Sequence, residues 1–457
     1  MKLSRALLYF SPLFVVLFMI LYKQPYFGLM DDASMLNGYL NDPVSLVALP
    51  QQAWSQAVID LHGGFFRLLY PFMTWILYSH SPDHPGVLFA LNFFLVVFSS
   101  LLFLASLITA TSSKNDPLFF EKLGLSLLIT YSIPWMYDLF IHPSLQEKLI
   151  LSTAAICFFW FSRRLPRASL VEVFLAIPIF FALGACSKSQ FVIFFPAFLI
   201  LAWVKKNVFL NSKIVLLYSL FWAGLLTMGL VWIGQKGSYT GGIRFSISDF
   251  FHNKTKILLL AVAIFGCILL YLDWIKAKDI SRILHRSLPV VLIFSYLAVF
   301  FSWNLVGYLI SLIAPVVGVL VAHWIFQWAK KYKTVFVILF LISSFGISTW
   351  RSDLYFQKLA DIRNLILDPT FSKILKDTPP LYINCMEGVF SFKFFTTRLL
   401  GQTLHMEELN TRKEKMFFVI HESKLCPAPQ YIALAPKKII LSPSGSKSFE
   451  LWQVELP

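Results

Sequence analysis

Apolar runs of about twenty residues recur along the first 350 positions of this 457-residue chain. Each approaches the ~17–25 residues that a helix needs to cross the hydrocarbon core of a bilayer. Backbone polar groups in hydrocarbon must be satisfied within the segment, so such runs become helices rather than isolated strands. Only 14% of residues are charged and 57% are hydrophobic, whereas soluble domains carry about a quarter charged residues. A water-soluble enzyme and a largely disordered chain are both excluded. The expected fold is an α-helical polytopic membrane protein with about eleven transmembrane helices, near residues 6–22, 86–110, 123–141, 146–162, 170–186, 189–204, 214–234, 257–275, 288–303, 305–328 and 334–350.

The chain is basic, with 39 Lys+Arg against 24 Asp+Glu and a formal charge of +15. In a membrane protein this excess reports topology rather than a nucleic-acid partner, because cations concentrate in cytoplasmic loops. Lys2 and Arg5 precede the first run, which lacks a small-x-small cleavage site and reads as an uncleaved anchor with a cytoplasmic N-terminus. Alternating sides from there, the cytoplasmic segments hold 17 cations and the longer opposite loops eight. The expected location is the inner (plasma) membrane. The stretch 64–78 contains Arg67 and Pro71, and counting it as a span would invert every later loop. It reads as an interfacial or re-entrant helix at the outer surface, within a long first outer loop, 23–85.

After Trp350 the pattern changes. Pro379, Pro380, Pro427, Pro429, Pro436 and Pro443 punctuate short alternating runs at 381–385, 416–420 and 438–442. The chain therefore divides into a transmembrane region, 1–350, and a small extracytoplasmic (periplasmic) soluble domain, 351–457, of α/β or α+β type. Cys157, Cys186 and Cys267 fall in spans and read as packing residues. Cys385 and Cys426 share the outer domain, where either a disulfide or two free thiols fits. No nucleotide-binding loop, HExxH or CxxC is present, and the cytoplasmic loops are short.

The candidate functional residues are polar groups gathered on the outer face: Asp31 and Asp32, Arg67, His142, Gln146 and Glu147, and Lys188. Ionisable groups at membrane depth point to function because leaving them unpaired is costly. Plainer readings stand beside this one. Asp31-Asp32 also suits a helix cap before Ala33-Ser34, Arg67 and Lys188 also suit snorkelling to head groups, and Glu147 also suits pairing with Lys148 or Arg67. His142 lacks a His or Cys partner at metal-ligand spacing, and no metal site or cofactor is assigned.

The paired acids after the first span, an Arg-bearing interfacial helix, and an outer loop entering a span through Glu147 form a pattern. With them come Gly184-Ala185-Cys186-Ser187-Lys188 followed by Pro196, Tyr308 followed by Pro315, and the soluble outer tail. Together these resemble the GT-C membrane glycosyltransferases, the polyprenyl-phosphate-sugar-dependent enzymes that include protein O-mannosyltransferases and lipid A aminoarabinose transferases. Gly307 departs from the pattern, where the family often has a basic residue. The resemblance implies inverting transfer of a sugar from a polyprenyl-phosphate donor to a glycan, lipid or protein acceptor on the outer face. It implies Asp31, with Asp32, as the catalytic acid pair and Arg67, Lys188 and Tyr308 as contacts to the donor phosphate. Glu147 and His142 would serve the acceptor or a cation. A transporter or flippase, a non-enzymatic scaffold and a glycan polymerase or ligase remain as alternatives.

Overall fold

The computed structural model describes residues 3–23, 44–62, 66–79, 85–112, 116–204, 212–235, 253–300, 307–369, 373, 381–384, 416–422, 437–441 and 449–455. Fourteen α-helices and four strands lie among them. The helices are α1 (Leu3–Lys23), α2 (Leu49–His62), α3 (Tyr70–Tyr78), α4 (Pro85–Thr111), α5 (Phe119–Tyr131), α6 (Asp138–Ile141) and α7 (Glu147–Phe159). After them come α8 (Leu170–Ser187), α9 (Phe195–Val204), α10 (Ser212–Gln235), α11 (Lys254–Ala277), α12 (Ile280–Val299), α13 (Ala314–Gln327) and α14 (Lys333–Leu367).

Among the described residues, six helices are long and apolar enough to cross a membrane: α4, α8, α10, α11, α12 and α14. Counting the bent pair α5 and α6 as one span gives seven, against eleven expected from the sequence. Proline accounts for much of the shortfall. It has no backbone N–H and is best accommodated in the first turn of a helix, so helices often begin where it sits, although Pro12, Pro178 and Pro289 lie inside α1, α8 and α12. The expected span 123–141 breaks at Pro134 with a 90° bend. Before α9 the chain runs as a 3₁₀ turn, Ser189–Phe194, and only ten α-helical residues follow. At ~1.5 Å per residue those ten span about 15 Å. Residues Gly307–Leu312 form a similar 3₁₀ turn before the 14-residue α13, which carries Pro315 in its first turn.

Side-chain caps fix other boundaries. Ser169 Oγ accepts from Glu172 N at the start of α8 (3.2 Å), the first half of a Ser-x-x-Glu capping box. Asn253 and Asp279 cap α11 and α12 in the same way. Lys278 ends α11 in the left-handed region (φ 48°), and the next residue already caps α12, so the two helices are joined by a tight turn.

The core lies between α4, α5, α7, α12 and α13 and is rich in aromatic rings. Phe103, Phe158, Phe194 and Phe198 pack edge-on or tilted against one another and Phe161 stacks on Phe198, which seats the 3₁₀ turn 189–194 in the bundle. Large apolar side chains on the outside, such as Phe94, Phe98, Leu217, Met228 and Ile342, are exposed, as a lipid-facing surface requires. The segment 64–78, expected to lie on the surface, yields the nine-residue α3. Its Tyr70, Pro71, Met73, Thr74, Leu77 and Tyr78 are buried against the rest of the protein.

The C-terminal strands β1 (Leu381–Asn384), β2 (Met416–Glu422), β3 (Lys437–Leu441) and β4 (Phe449–Glu455) form one sheet in the order β1-β2-β4-β3. β1 pairs with β2 in parallel, and the other pairings are antiparallel. Three strands coincide with the alternating runs read from the sequence. The fourth was not anticipated, although Leu451, Trp452 and Val454 carried an apolar signal for it.

Candidate functional site

Polar side chains converge where α7 begins and α8 ends. Glu147 is the first residue of α7, where unpaired backbone N–H groups favour a carboxylate. It is fully buried, and its Oε1 accepts from Lys188 Nζ at 2.6 Å. Lys188 follows the last residue of α8 in extended conformation and is itself only 12% exposed. The approach of this turn depends on Gly184, because a Cβ there would fall inside the ring of Phe191.

Next to Glu147, Lys148 is also fully buried. Its ammonium donates to Asn92 Oδ1 (2.7 Å) and to the Pro143 carbonyl (2.5 Å). Asn92 in turn donates to the Leu139 and Phe140 carbonyls, at 2.8 and 3.0 Å, and so ties α4 to the break between α5 and α7. Leu69 N donates to the Cys186 carbonyl (3.1 Å), which brings the Arg67 segment to the turn that carries Lys188. The Tyr296 phenol on α12 is buried within electrostatic reach of Glu147. Glu147 Oε2, Gln146 Oε1, Gln190 Oε1 and Tyr296 Oη are buried and make no hydrogen bond among the described residues. Buried polar groups in folded proteins are normally paired, so four unpaired ones around one ion pair mark a place that a hydrogen-bonding ligand or water completes.

A second polar group adjoins the first. Arg351 Nη2 donates to Asp138 Oδ1 (2.9 Å) and Arg351 Nη1 to the Tyr355 hydroxyl (3.2 Å). His142, whose N–H bonds the Asp138 carbonyl, sets its ring against Tyr355 with centroids 6.5 Å apart. Close by on α14, Asp353 pairs with Lys23 at the end of α1 (3.0 Å).

Of the residues singled out in the sequence, Glu147 and Lys188 are brought together, the backbone two residues after Arg67 bonds the turn that carries Lys188, and His142 joins the neighbouring Asp138–Arg351 group. Tyr308 lies in the 3₁₀ turn that packs against Pro134–Tyr137 and the α7 segment; its side chain is outside the described residues. Asp31, Asp32, Cys385 and Cys426 also lie outside them. Sequence reasoning missed Asn92, Asp138, Tyr296 and Arg351 and took Lys148 for an ordinary loop cation. Asp138 carried a usable signal, since it is a charge flanked by apolar residues.

Lys188 pairs with Glu147, the neighbouring Lys148 is enclosed without a carboxylate of its own among the described residues, and Arg351 pairs with Asp138. An enclosed surplus of positive charge suits an anion such as a phosphate. Among the described residues no group of three His, Cys, Asp or Glu is placed to hold a metal ion. Comparison with protein-family models, curated proteins and solved structures finds no match to this chain.

Proposed function

We propose that the chain is a membrane glycosyltransferase of GT-C type, which moves a sugar from a polyprenyl-phosphate donor to a glycan, lipid or protein acceptor with inversion at the anomeric carbon. The observation that carries this reading is the enclosed cationic surplus around Lys188 and Lys148. In the reaction an acceptor hydroxyl attacks the anomeric carbon while the bond to the phosphate oxygen breaks. The electron pair departs on the lipid phosphate, where Lys188 and Arg67 offset the developing charge. The hydroxyl proton passes to a carboxylate, assigned to Asp31 with Asp32 beside it. Glu147, through its unpaired Oε2, and His142 serve the acceptor. In this reading the shorter helices α1, α7, α9 and α13 are also passes, which restores eleven. The N-terminus then faces the cytoplasm of the inner membrane, and the sheet belongs to a periplasmic domain.

The 90° break at Pro134 favours a second reading, because secondary transporters build their sites from discontinuous helices. One assay separates the two. Purified protein supplied with a radiolabelled polyprenyl-phosphate sugar should release lipid phosphate and label an acceptor without an ion gradient. Asp31→Asn should lower turnover by roughly 10²–10⁴-fold while donor binding survives. If Asp32→Asn abolishes transfer and Asp31→Asn does not, the acid is the other member of the pair. Gradient-dependent uptake into vesicles without bond cleavage would replace the transferase with the transporter.

A further inference from the structure

The four unpaired atoms beside the Lys188–Glu147 pair share one chemistry. Glu147 Oε2, Gln146 Oε1 and Gln190 Oε1 can only accept a hydrogen bond, and Tyr296 Oη has a single proton to donate. All four side chains are more than nine-tenths buried. Gln146 and Glu147 open α7, Gln190 lies in the 3₁₀ turn two residues past Lys188, and Tyr296 stands on α12. That turn packs against both α7 and α12. The Tyr296 ring is held by Phe300, with centroids 4.6 Å apart. Its hydroxyl lies within electrostatic reach of Glu147, yet neither Oη nor Oε2 bonds the other. A group that bridges them must donate to the carboxylate and meet the phenol.

A phosphate brings oxygens that accept and a negative charge that the Glu147 carboxylate repels, so an anion drawn to Lys188 leaves the three accepting oxygens unmet. An ammonium group donates, but the carboxylate it needs already accepts from Lys188, and Lys148 is buried next to it. An uncharged hydroxyl donates and accepts without adding charge. One placed between Glu147 and Tyr296 donates to Oε2 and accepts from the phenol, and further hydroxyls meet Gln146 and Gln190. In the transfer reaction the attacking hydroxyl passes its proton to Asp31 and is not available to these oxygens. A Ser or Thr side chain has no second hydroxyl, whereas a sugar ring carries several on adjacent carbons. Resting on the transferase reading, we propose that the acceptor is an uncharged glycan whose further hydroxyls are held by Glu147, Tyr296, Gln146 and Gln190, and not a protein hydroxyl or an amine.

The purified full chain in phosphatidylcholine nanodiscs tests this with the methyl glycosides of glucose, mannose and galactose, with ethanolamine and with a blocked threonine tripeptide. Saturation-transfer NMR should show at least one glycoside bound and the other two kinds of probe not bound. Tyr296→Phe removes only the hydroxyl and should weaken that glycoside about threefold to tenfold, the worth of one hydrogen bond. Gln190→Leu should do the same. Because the phenol makes no hydrogen bond among the described residues, Tyr296→Phe should leave thermal unfolding of the unliganded protein unchanged, and a lowered unfolding temperature would overturn its assignment to the ligand. Tyr218→Phe removes a hydroxyl that bonds the Phe174 carbonyl and should leave glycoside binding as it was.

With a radiolabelled polyprenyl-phosphate sugar, label should pass to the bound glycoside. Label passing to the peptide instead would overturn the glycan acceptor and keep the transferase. Glycoside binding that Tyr296→Phe weakens, without transfer from any donor, would overturn the transferase and keep the hydroxyl site. Unchanged glycoside binding in Tyr296→Phe, or binding of none of the three glycosides, would overturn the site itself.

Discussion

Where α7 begins, the cations are inside: Lys148 is fully buried and Lys188 is 12% exposed. Where α11 turns into α12, Lys276, Lys278 and Arg282 stand outside, and the buried Arg286 is matched by Asp273 and Gln327. The two ends are both basic, and each encloses an ion pair, yet they differ in whether every enclosed cation has a carboxylate to match it. Removing a charge from water costs several kcal/mol unless neighbours replace the lost hydration. The first end therefore holds charge at a cost that a bound anion would offset. The second holds a neutral buried unit and leaves its surplus to water and head groups.

The largest expected effect tests that contrast directly. Lys188→Ala leaves the Glu147 carboxylate enclosed without its counter-ion and should destabilise the protein by about 3–5 kcal/mol, read from thermal unfolding in detergent. Sugar transfer should be lost as well. The double variant Lys188→Met/Glu147→Leu should regain most of the stability without regaining transfer. Recovery of both would make the pair purely structural and erase the distinction between the two ends.

A smaller effect sharpens the account of how the first end is assembled. Gly184→Ala forces a methyl group into the ring of Phe191 and should cost roughly 1–3 kcal/mol. Gly224→Ala on α10 meets open space and should be neutral or stabilising by up to about 1 kcal/mol. Equal responses at the two positions would mean that the turn 188–194 can move away from α8.

The smallest effect concerns the basic end. Burial alone would raise the Asp116 carboxyl, but the Lys122 ammonium at 2.5 Å and the Leu118 N–H outweigh it and hold the group below its ordinary value. A depressed carboxyl contributes stability above the unfolded-state value, ~3.9, and loses it as pH falls through the lower folded-state value. Asp116→Asn should therefore be less stable than the parent by up to about 1 kcal/mol near neutral pH. The difference should shrink towards zero as the medium is acidified through that range. A gap that persists in acid would point to packing rather than charge.

Much of the helical frame was legible in the sequence, because transfer of apolar side chains out of water is nearly additive along a run. Helix starts at Pro134, Pro196 and Pro315 were available too, but reading each apolar run as one continuous span hid them. The site was legible in part. Glu147 and Lys188 are charges at span ends, whereas Asn92 and Tyr296 look like ordinary members of apolar helices until their partners are known. The burial of α3 was also hidden, since the nine residues Tyr70–Tyr78 suit an exposed helix and a buried one equally.

The sequence by itself determined that this chain forms membrane-crossing helices and that its basic residues are segregated along it. Those properties follow from composition within windows of about twenty residues. Only the tertiary structure decided which charges are enclosed and with whom. Lys188 meets Glu147 across 41 positions, and Arg351 meets Asp138 across 213. Whether a side chain keeps its hydration depends on what packs over it, and the covering groups here come from distant helices and from turns whose entry into the bundle no local window encodes.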